Sequence, residues 1–189
     1  MDDIVKQALT KWPNVPHCYG WLGLDARGNW YMRDDAAQAA GPFDELTAGG
    51  TRQSKGSLLK HEKLIDFIQR NYACDALGQW FFQNGPQRVY VELEVTPWIW
   101  RVTATAPNKL SVAAHDGQLT EVKSCVQDEL GRAYLDTNIG FGLVHTQDVE
   151  HIADALEAGL WPLQEIHSSE LAGQFGYIAS PARHQNAIK

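Results

Sequence analysis

Cysteine is scarce in this sequence and unpatterned. Cys18, Cys74 and Cys125 lie far apart, and no C-x-x-C pair occurs. An odd, scattered set does not build the disulfide framework of a small secreted domain, and it points to a reducing compartment. Long hydrophobic runs are missing too; nothing approaches the ~18 apolar residues of a membrane span. The start, Met1-Asp2-Asp3-Ile4, is acidic, where a signal peptide has a basic start and an apolar run. The expected location is cytoplasmic, with no membrane partner. Positive charge is also in short supply. The 16 Lys and Arg face 23 Asp and Glu, for a net charge of −7, and such a surface repels a phosphate backbone. No nucleic-acid partner is expected. The most basic stretch, Arg52, Lys55, Lys60 and Lys63, also carries Glu62 and reads as a solvated helix face.

The familiar catalytic signatures are absent. There is no G-x-S-x-G and no P-loop. Gly140-Phe141-Gly142 lacks the third glycine and the βαβ setting of a dinucleotide fingerprint. No two of the seven histidines stand at i, i+4, the spacing that sets two ligands on one helix face. His145 and His151 straddle an expected helix start and would not face one point. Neither a metal nor another cofactor is expected, and no catalytic residue is assigned. Cys74 and Cys125 sit among strand-like residues and read as core.

What the sequence does hold is apolar and aromatic. Of 189 residues, 44% are hydrophobic and 21% charged, with seven tryptophans. This is enough to bury a sizeable core. Helices are expected over 3–11, over 58–71 with Ser57 as N-cap, and over 147–158 with Thr146 as cap and Gly159 as stop. Hairpins are expected over 19–32, turning at Asp25-Ala26-Arg27-Gly28, and over 75–95, turning at Asn84-Gly85. Further strands fit 98–102, 109–114, 119–126, 133–135 and 139–145, while 33–56 reads as an irregular loop. The fold class is α+β, with mostly antiparallel strands in repeated β-hairpin motifs and two main helices. The chain reads as one compact domain over 1–189, or as two similar packed halves (about 17–105 and 106–166). A C-terminal extension over 167–189 reads as partly flexible.

Three segments share one plan: Asp25 to Met32, Asp75 to Phe82 and Asp128 to Leu135. Each is a D-x-x-G turn followed by apolar or aromatic residues, which is consistent with a repeated hairpin and equally with a common turn recurring by chance.

Binding candidates come from the middle of the chain. In Arg88 to Val95 the valines and Leu93 alternate with Tyr90, Glu92 and Glu94, the pattern of a half-buried strand. Glu92 and Glu94 then share a face, and close carboxylates can shift each other's pKa and divide acid and base roles. Trp98 and Trp100 share a face as well, and an aromatic-lined surface suits a small molecule or a peptide. The expected binding residues are Trp98, Trp100, Glu92, Glu94 and Tyr90.

The same region resembles an uncharacterised family of small proteobacterial proteins, known only as a domain of unknown function. Gly28-Asn29-Trp30-Tyr31 matches the family's first hairpin, Leu58 to Ile68 its Leu-rich helix, and Asp75 to Phe82 its second D-x-x-G hairpin. Glu94-Val95-Thr96-Pro97-Trp98 matches an E-D-x-P-aromatic strand end, with Val95 in place of Asp. Leu110 to Gly117 resembles the next strand and turn, Ala133-Tyr134-Leu135 a P-Y-L element with Ala for Pro, and residues 149–163 the closing helix. The likeness spans roughly residues 20–165. It implies an α+β fold with repeated motifs and a signalling role, and it supplies no catalytic residue or cofactor.

The sequence thus favours a non-enzymatic binding or signalling module that recognises a small molecule or a partner protein through an aromatic-rich surface. A hydrolase or lyase using Glu92 and Glu94 is one alternative. A structural interaction protein, a homodimer formed through a strand edge, is another.

Overall fold

The three D-x-x-G segments fold into turns of one design. The computed structural model describes residues 1–44, 49–106 and 109–188. In it the Asp backbone N–H donates to the carbonyl four residues on, at Asn29 (3.0 Å), Gln79 (3.0 Å) and Arg132 (3.1 Å). The N–H of that later residue donates back to the Asp carboxylate, at 2.8 Å for Asp25, 3.0 Å for Asp75 and 2.9 Å for Asp128. Gly28, Gly78 and Gly131 hold φ of 83°, 81° and 74°, a region that suits a residue without Cβ. A tyrosine hydroxyl serves two of the carboxylates, Tyr90 on Asp75 (3.1 Å) and Tyr134 on Asp128 (2.8 Å). The recurrence is therefore a shared hydrogen-bond pattern that closes each turn and ties it to a strand.

Two compact units contain these turns: residues 1–25, 29–95 and 176–189 form the first, and residues 26–28 and 96–175 the second. The first begins with α1 (Asp3–Lys11), β1 (Cys18–Leu24), β2 (Trp30–Met32), α2 (Asp35–Ala39) and α3 (Arg52–Lys55). It continues with β3 (Ser57–Leu58), α4 (Glu62–Arg70), β4 (Tyr72–Cys74), β5 (Trp80–Asn84) and β6 (Gln87–Leu93). The second holds β7 (Trp98–Ala106), β8 (Lys109–Ala114), β9 (Leu119–Thr120), β10 (Val122–Gln127), β11 (Ala133–Thr137) and β12 (Gly140–Val144). A 3₁₀ turn (Thr146–Asp148), α5 (Val149–Glu157), β13 (Leu163–Glu165) and α6 (Leu171–Phe175) complete it. The chain then returns to the first unit as α7 (Pro181–Ile188).

The fold is α+β, but the strands are mixed rather than mostly antiparallel. The six-stranded sheet runs β3-β2-β1-β6-β5-β4 and the seven-stranded sheet β13-β10-β11-β12-β7-β8-β9. The hairpins are antiparallel, and they join through the parallel pairs β1·β6, β12·β7 and β10·β13. Local alternation signals each hairpin but not which hairpin docks beside it. There are also seven helices among the described residues rather than two. Part of the segment read as irregular forms α2 and α3, while its residues 45–48 lie outside the described ones.

Two local expectations need correction. Ser57 does not cap a helix: Leu58 and Ser57 pair with Tyr31 and Met32 as an edge strand, and Leu59 N–H donates to Trp30 O (2.8 Å). Helix α4 starts later, where the His61 ring accepts from Leu64 N–H (3.2 Å). Thr146 lies in the 3₁₀ turn, whose cap is the His145 ring accepting from Gln147 N–H (3.2 Å). Within residues 167–189, read as a partly flexible extension, the chain forms α6 and α7.

The first sheet has two different faces, both covered. The register sets Leu22 beside Val91 and Leu24 beside Leu93, and all four are buried. Phe82, opposite Val89, meets Phe67 of α4 edge-on at 5.4 Å. The opposite face carries Tyr90, stacked on Tyr19 at 4.5 Å, and Glu92 beside Gly23. The second unit buries aromatics instead. Trp98 and Trp100 stack at 6.0 Å, Trp100 Nε1–H donates to Leu135 O (3.1 Å), and Phe141 lies between Tyr134 (5.5 Å) and Phe175 (3.6 Å). A Cβ at Gly142 would collide with Trp98 and Trp100, and one at Gly140 with Trp98. The G-x-G of β12 thus makes room for two indoles across a parallel pair. The unit starts at Thr96, whose hydroxyl donates to Trp98 O (2.8 Å) and accepts from Leu143 N–H (2.9 Å).

Candidate functional site

The expected aromatic surface is core. Trp100, Trp98 and Tyr90 are 0%, 6% and 3% exposed. The reason is packing: Tyr90 stacks on Tyr19, and the Trp98 and Trp100 indoles stack on each other where Gly140 and Gly142 of β12 leave room for them. Trp98 and Trp100 belong to the interior of the second unit and line no surface there.

Glu92 and Glu94 lie in the first unit, and neither is open to solvent. Glu92 is 4% exposed. Ser180 Oγ–H donates to its Oε2, and Ala182 N–H donates to its Oε1 (3.1 Å). These donors stand at the start of α7, where free backbone N–H groups favour an anion or acceptor. Burial pushes the Glu92 carboxyl above its ordinary range, against the pull of Ser180, Ala182, Arg33 and Arg183. Glu94 instead takes Lys55 Nζ at 2.9 Å, an ion pair with side chains only 15% and 8% exposed. Burial alone would lower Lys55, but the Glu94 hydrogen bond and charge outweigh it and hold the ammonium above its ordinary value. The two carboxylates thus have separate partners rather than each other.

Between them lies Phe43. A Cβ on Gly23 would strike its ring, so the glycine lets the ring sit on the backbone of β1. Lys55 Nζ is 5.7 Å from the ring centroid and the Arg33 guanidinium 5.9 Å, within cation–π reach. Arg33 is itself 4% exposed and gives its donors to three backbone carbonyls: Ser54 (2.7 Å), Gly20 (3.1 Å) and Gly41 (2.6 Å). Burial lowers its pKa, and the Glu92 charge works against that shift. A guanidinium stays protonated under such conditions. Tyr31 is raised by burial and by the Asp25 charge.

A cavity of about 160 Å³ opens on this face, lined by Phe43, Asp44, Glu92, Ser180 and Arg183 together with Pro42, Leu93 and Ala179. Arg33, Phe43, Ser180 and Arg183 were not legible as site residues. They come from distant stretches, and no local pattern marks them. Lys55 was visible only as part of a basic stretch.

The remaining chemistry is sparse. Burial pushes the Cys74 and Cys125 thiols up to about 11, so neither supplies a thiolate at neutral pH. Cys125 is core as expected, whereas Cys74 is exposed. Among the described residues, no group of three or more His, Cys, Asp or Glu is arranged to hold a metal ion. A larger, open cleft of about 770 Å³ lies in the second unit between the end of β7 and α5, lined by alanines, Leu110 and Leu160 with His151, Asp154 and Glu157. The sheet edges, β3, β4, β9 and β13, are two or three residues long, which offers an edge-pairing partner few backbone groups. No described helix is long and apolar enough to cross a membrane.

Comparison with curated proteins gives no match. Two solved structures are similar. One is a DUF1285 family protein from Shewanella baltica OS155, with 16% identity over 71% of this chain and 91% of the other and a TM-score of 0.47. The other is a DUF1285 family protein from Silicibacter pomeroyi DSS-3, with 11% identity over 82% and 84% and a TM-score of 0.46. The family model DUF2944, described as "Protein of unknown function (DUF2946)", matches residues 1–182. That match spans nearly the whole chain, and the protein belongs to this family of unknown function.

Proposed function

We propose that the protein is a non-enzymatic binding module that holds a small polar ligand in the cavity beside Glu92. One observation carries this reading: a carboxylate only 4% exposed forms part of the wall of a cavity that also has an aromatic ring and an arginine. Buried ionisable groups with shifted pKa cluster at functional sites. The cavity of about 160 Å³ has room for roughly five waters at ~30 Å³ each, so the bound group is small. Glu92 is the acceptor for an amine or hydroxyl, Phe43 the apolar wall, and Arg183 the group facing an anionic or carbonyl end. Glu94 is committed to Lys55, which favours binding over acid–base chemistry by a carboxylate pair.

The test is a thermal-shift screen against metals, nucleotides and small metabolites. A ligand at 100 times its Kd adds about 2.7 kcal/mol of stability, and that gain should shrink in Glu92→Gln and Arg183→Ala. A flat screen on well-folded protein overturns the small-ligand reading and turns the search to a protein partner by pull-down.

A further inference from the structure

We propose that the closing segment of the chain, residues 176–188, is a proton-controlled strap, latched over the Glu92 site when Glu92 is neutral and released when it ionises. The proposal rests on the site reading above and supplies its regulation.

The geometry concentrates the strap's attachment on one carboxylate. At its start the strap lies against the second Asp turn: Gln79 and Ile178 form a parallel bridge, and Ile178 N–H donates to Gly78 O (2.9 Å). Leu93 N–H donates to Ala179 O (2.8 Å) at the end of β6. The next two contacts, from Ser180 Oγ and Ala182 N–H, both end on Glu92. Among the described residues, these are the hydrogen bonds that the Glu92 side chain makes. When the strap lifts, the carboxylate loses both donors and gains water.

The ionised form gains most from that exchange, because a buried carboxylate gives up far more hydration than a buried carboxylic acid. Charged groups reach Glu92 from each neighbouring element. Arg33 approaches from the end of β2 and Arg183 from α7, and both attract the anion. Asp44 lines the same cavity and repels it. Lys55 and Glu94 neutralise each other two residues further along. Arg33 turns its Nε, Nη1 and Nη2 donors to three carbonyls and acts on Glu92 through its charge. Burial outweighs these attractions. The closed state therefore prefers the neutral carboxyl, and rising pH favours the open one. Opening also takes Ala179, Ser180 and Arg183 out of the cavity wall, so a ligand held there favours the latched state.

The test is hydrogen exchange on the full chain with no ligand present, read as protection factors so that intrinsic exchange is removed. The reporting amides are Ile178, Ala182 and Leu93, each of which bonds across the strap. Protection at these three should fall by up to about tenfold per pH unit once Glu92 titrates, while the strands of the second unit hold theirs. Glu92→Gln, whose amide can still accept from Ala182 and donate to Ser180, should keep protection flat with pH. Ser180→Ala should lower protection at every pH yet keep the slope. His184→Asn, which removes the histidine of α7, should leave the slope unchanged. A wild-type profile already flat with pH, or a slope that survives in Glu92→Gln, overturns the strap. Because no ligand is present, a failed ligand screen does not bear on this result, and a failed strap leaves the binding result standing.

Discussion

The two units use the same turn and bury opposite chemistry. Asp75 and Asp128 close their turns with matching hydrogen bonds and each receives a tyrosine hydroxyl. Beyond the turns they diverge. The second unit fills its centre with Trp98, Trp100, Tyr134 and Phe141, an interior held by area and shape. The first keeps such a core on one face of its sheet and puts Arg33, Glu92 and the Lys55–Glu94 pair under cover on the other. Buried charges cost desolvation free energy that packing alone does not return. A polar interior of that kind can be retained for binding or switching, whereas the aromatic interior explains itself as structure.

The largest test of this contrast is Trp100→Ala, which empties a fully buried indole site. Urea unfolding should show a loss of about 3–5 kcal/mol, and a loss below ~1 kcal/mol would mean the aromatic core is not what holds the second unit. Arg33→Ala comes next. It leaves three buried carbonyls without a donor and should cost about 3 kcal/mol. Arg33→Lys should recover less than half, because an ammonium cannot reproduce the planar fork. A neutral result for Arg33→Ala would remove the buried polar face as a structural feature.

The third test uses pH, where the units should respond with opposite signs. Burial raises Asp128, but Arg132 N–H, Tyr134 and the Arg132 side chain outweigh it, so the folded pKa is depressed. Its stabilisation is present above the unfolded value of ~3.9 and is lost as pH falls through the folded one. Glu92 is raised; its contribution is present below ~4.3 and is lost as pH rises through the folded value. Stability measured from about pH 3 to pH 7 should therefore show a shallower acid-side slope in Asp128→Asn and a shallower high-pH decline in Glu92→Gln. The smallest test compares equivalent turn positions. Leu77 and Leu130 are 64% and 69% exposed, and Leu77→Ser and Leu130→Ser should each stay within about 0.5 kcal/mol of wild type. A larger effect at one position would break the equivalence of the turns.

Much of the local structure was legible because its signals are local. Asp25, Asp75 and Asp128 with their glycines announced turns, and Asn84-Gly85 announced a hairpin. The parallel pairing of β1 with β6 was not legible, since nothing in Leu22 or Val91 names its neighbour. The strand over 88–95 taught the sharper lesson. Its alternation of valine with Tyr90, Glu92 and Glu94 was read as one wet face and one dry face. The chemistry of the two faces was right and the exposure wrong, because Phe43 and the segment around Ser180 cover the polar side from far away in sequence. The tryptophans failed similarly. Trp98 and Trp100 do share a face, but the glycines of β12 that admit them stand some forty residues on.

One consequence of the chain's path concerns its birth on the ribosome. The first unit is split, and the piece that covers Glu92 is made only after residues 96–175. Until Ser180 and Ala182 leave the exit tunnel, the nascent sheet carries an acceptor with no donor and an unroofed polar face. The second unit is continuous apart from three residues and can fold as it emerges. Vectorial synthesis would therefore complete the inserted unit before the one whose sequence it interrupts, and the arrival of α7 would be the step that finishes the first sheet.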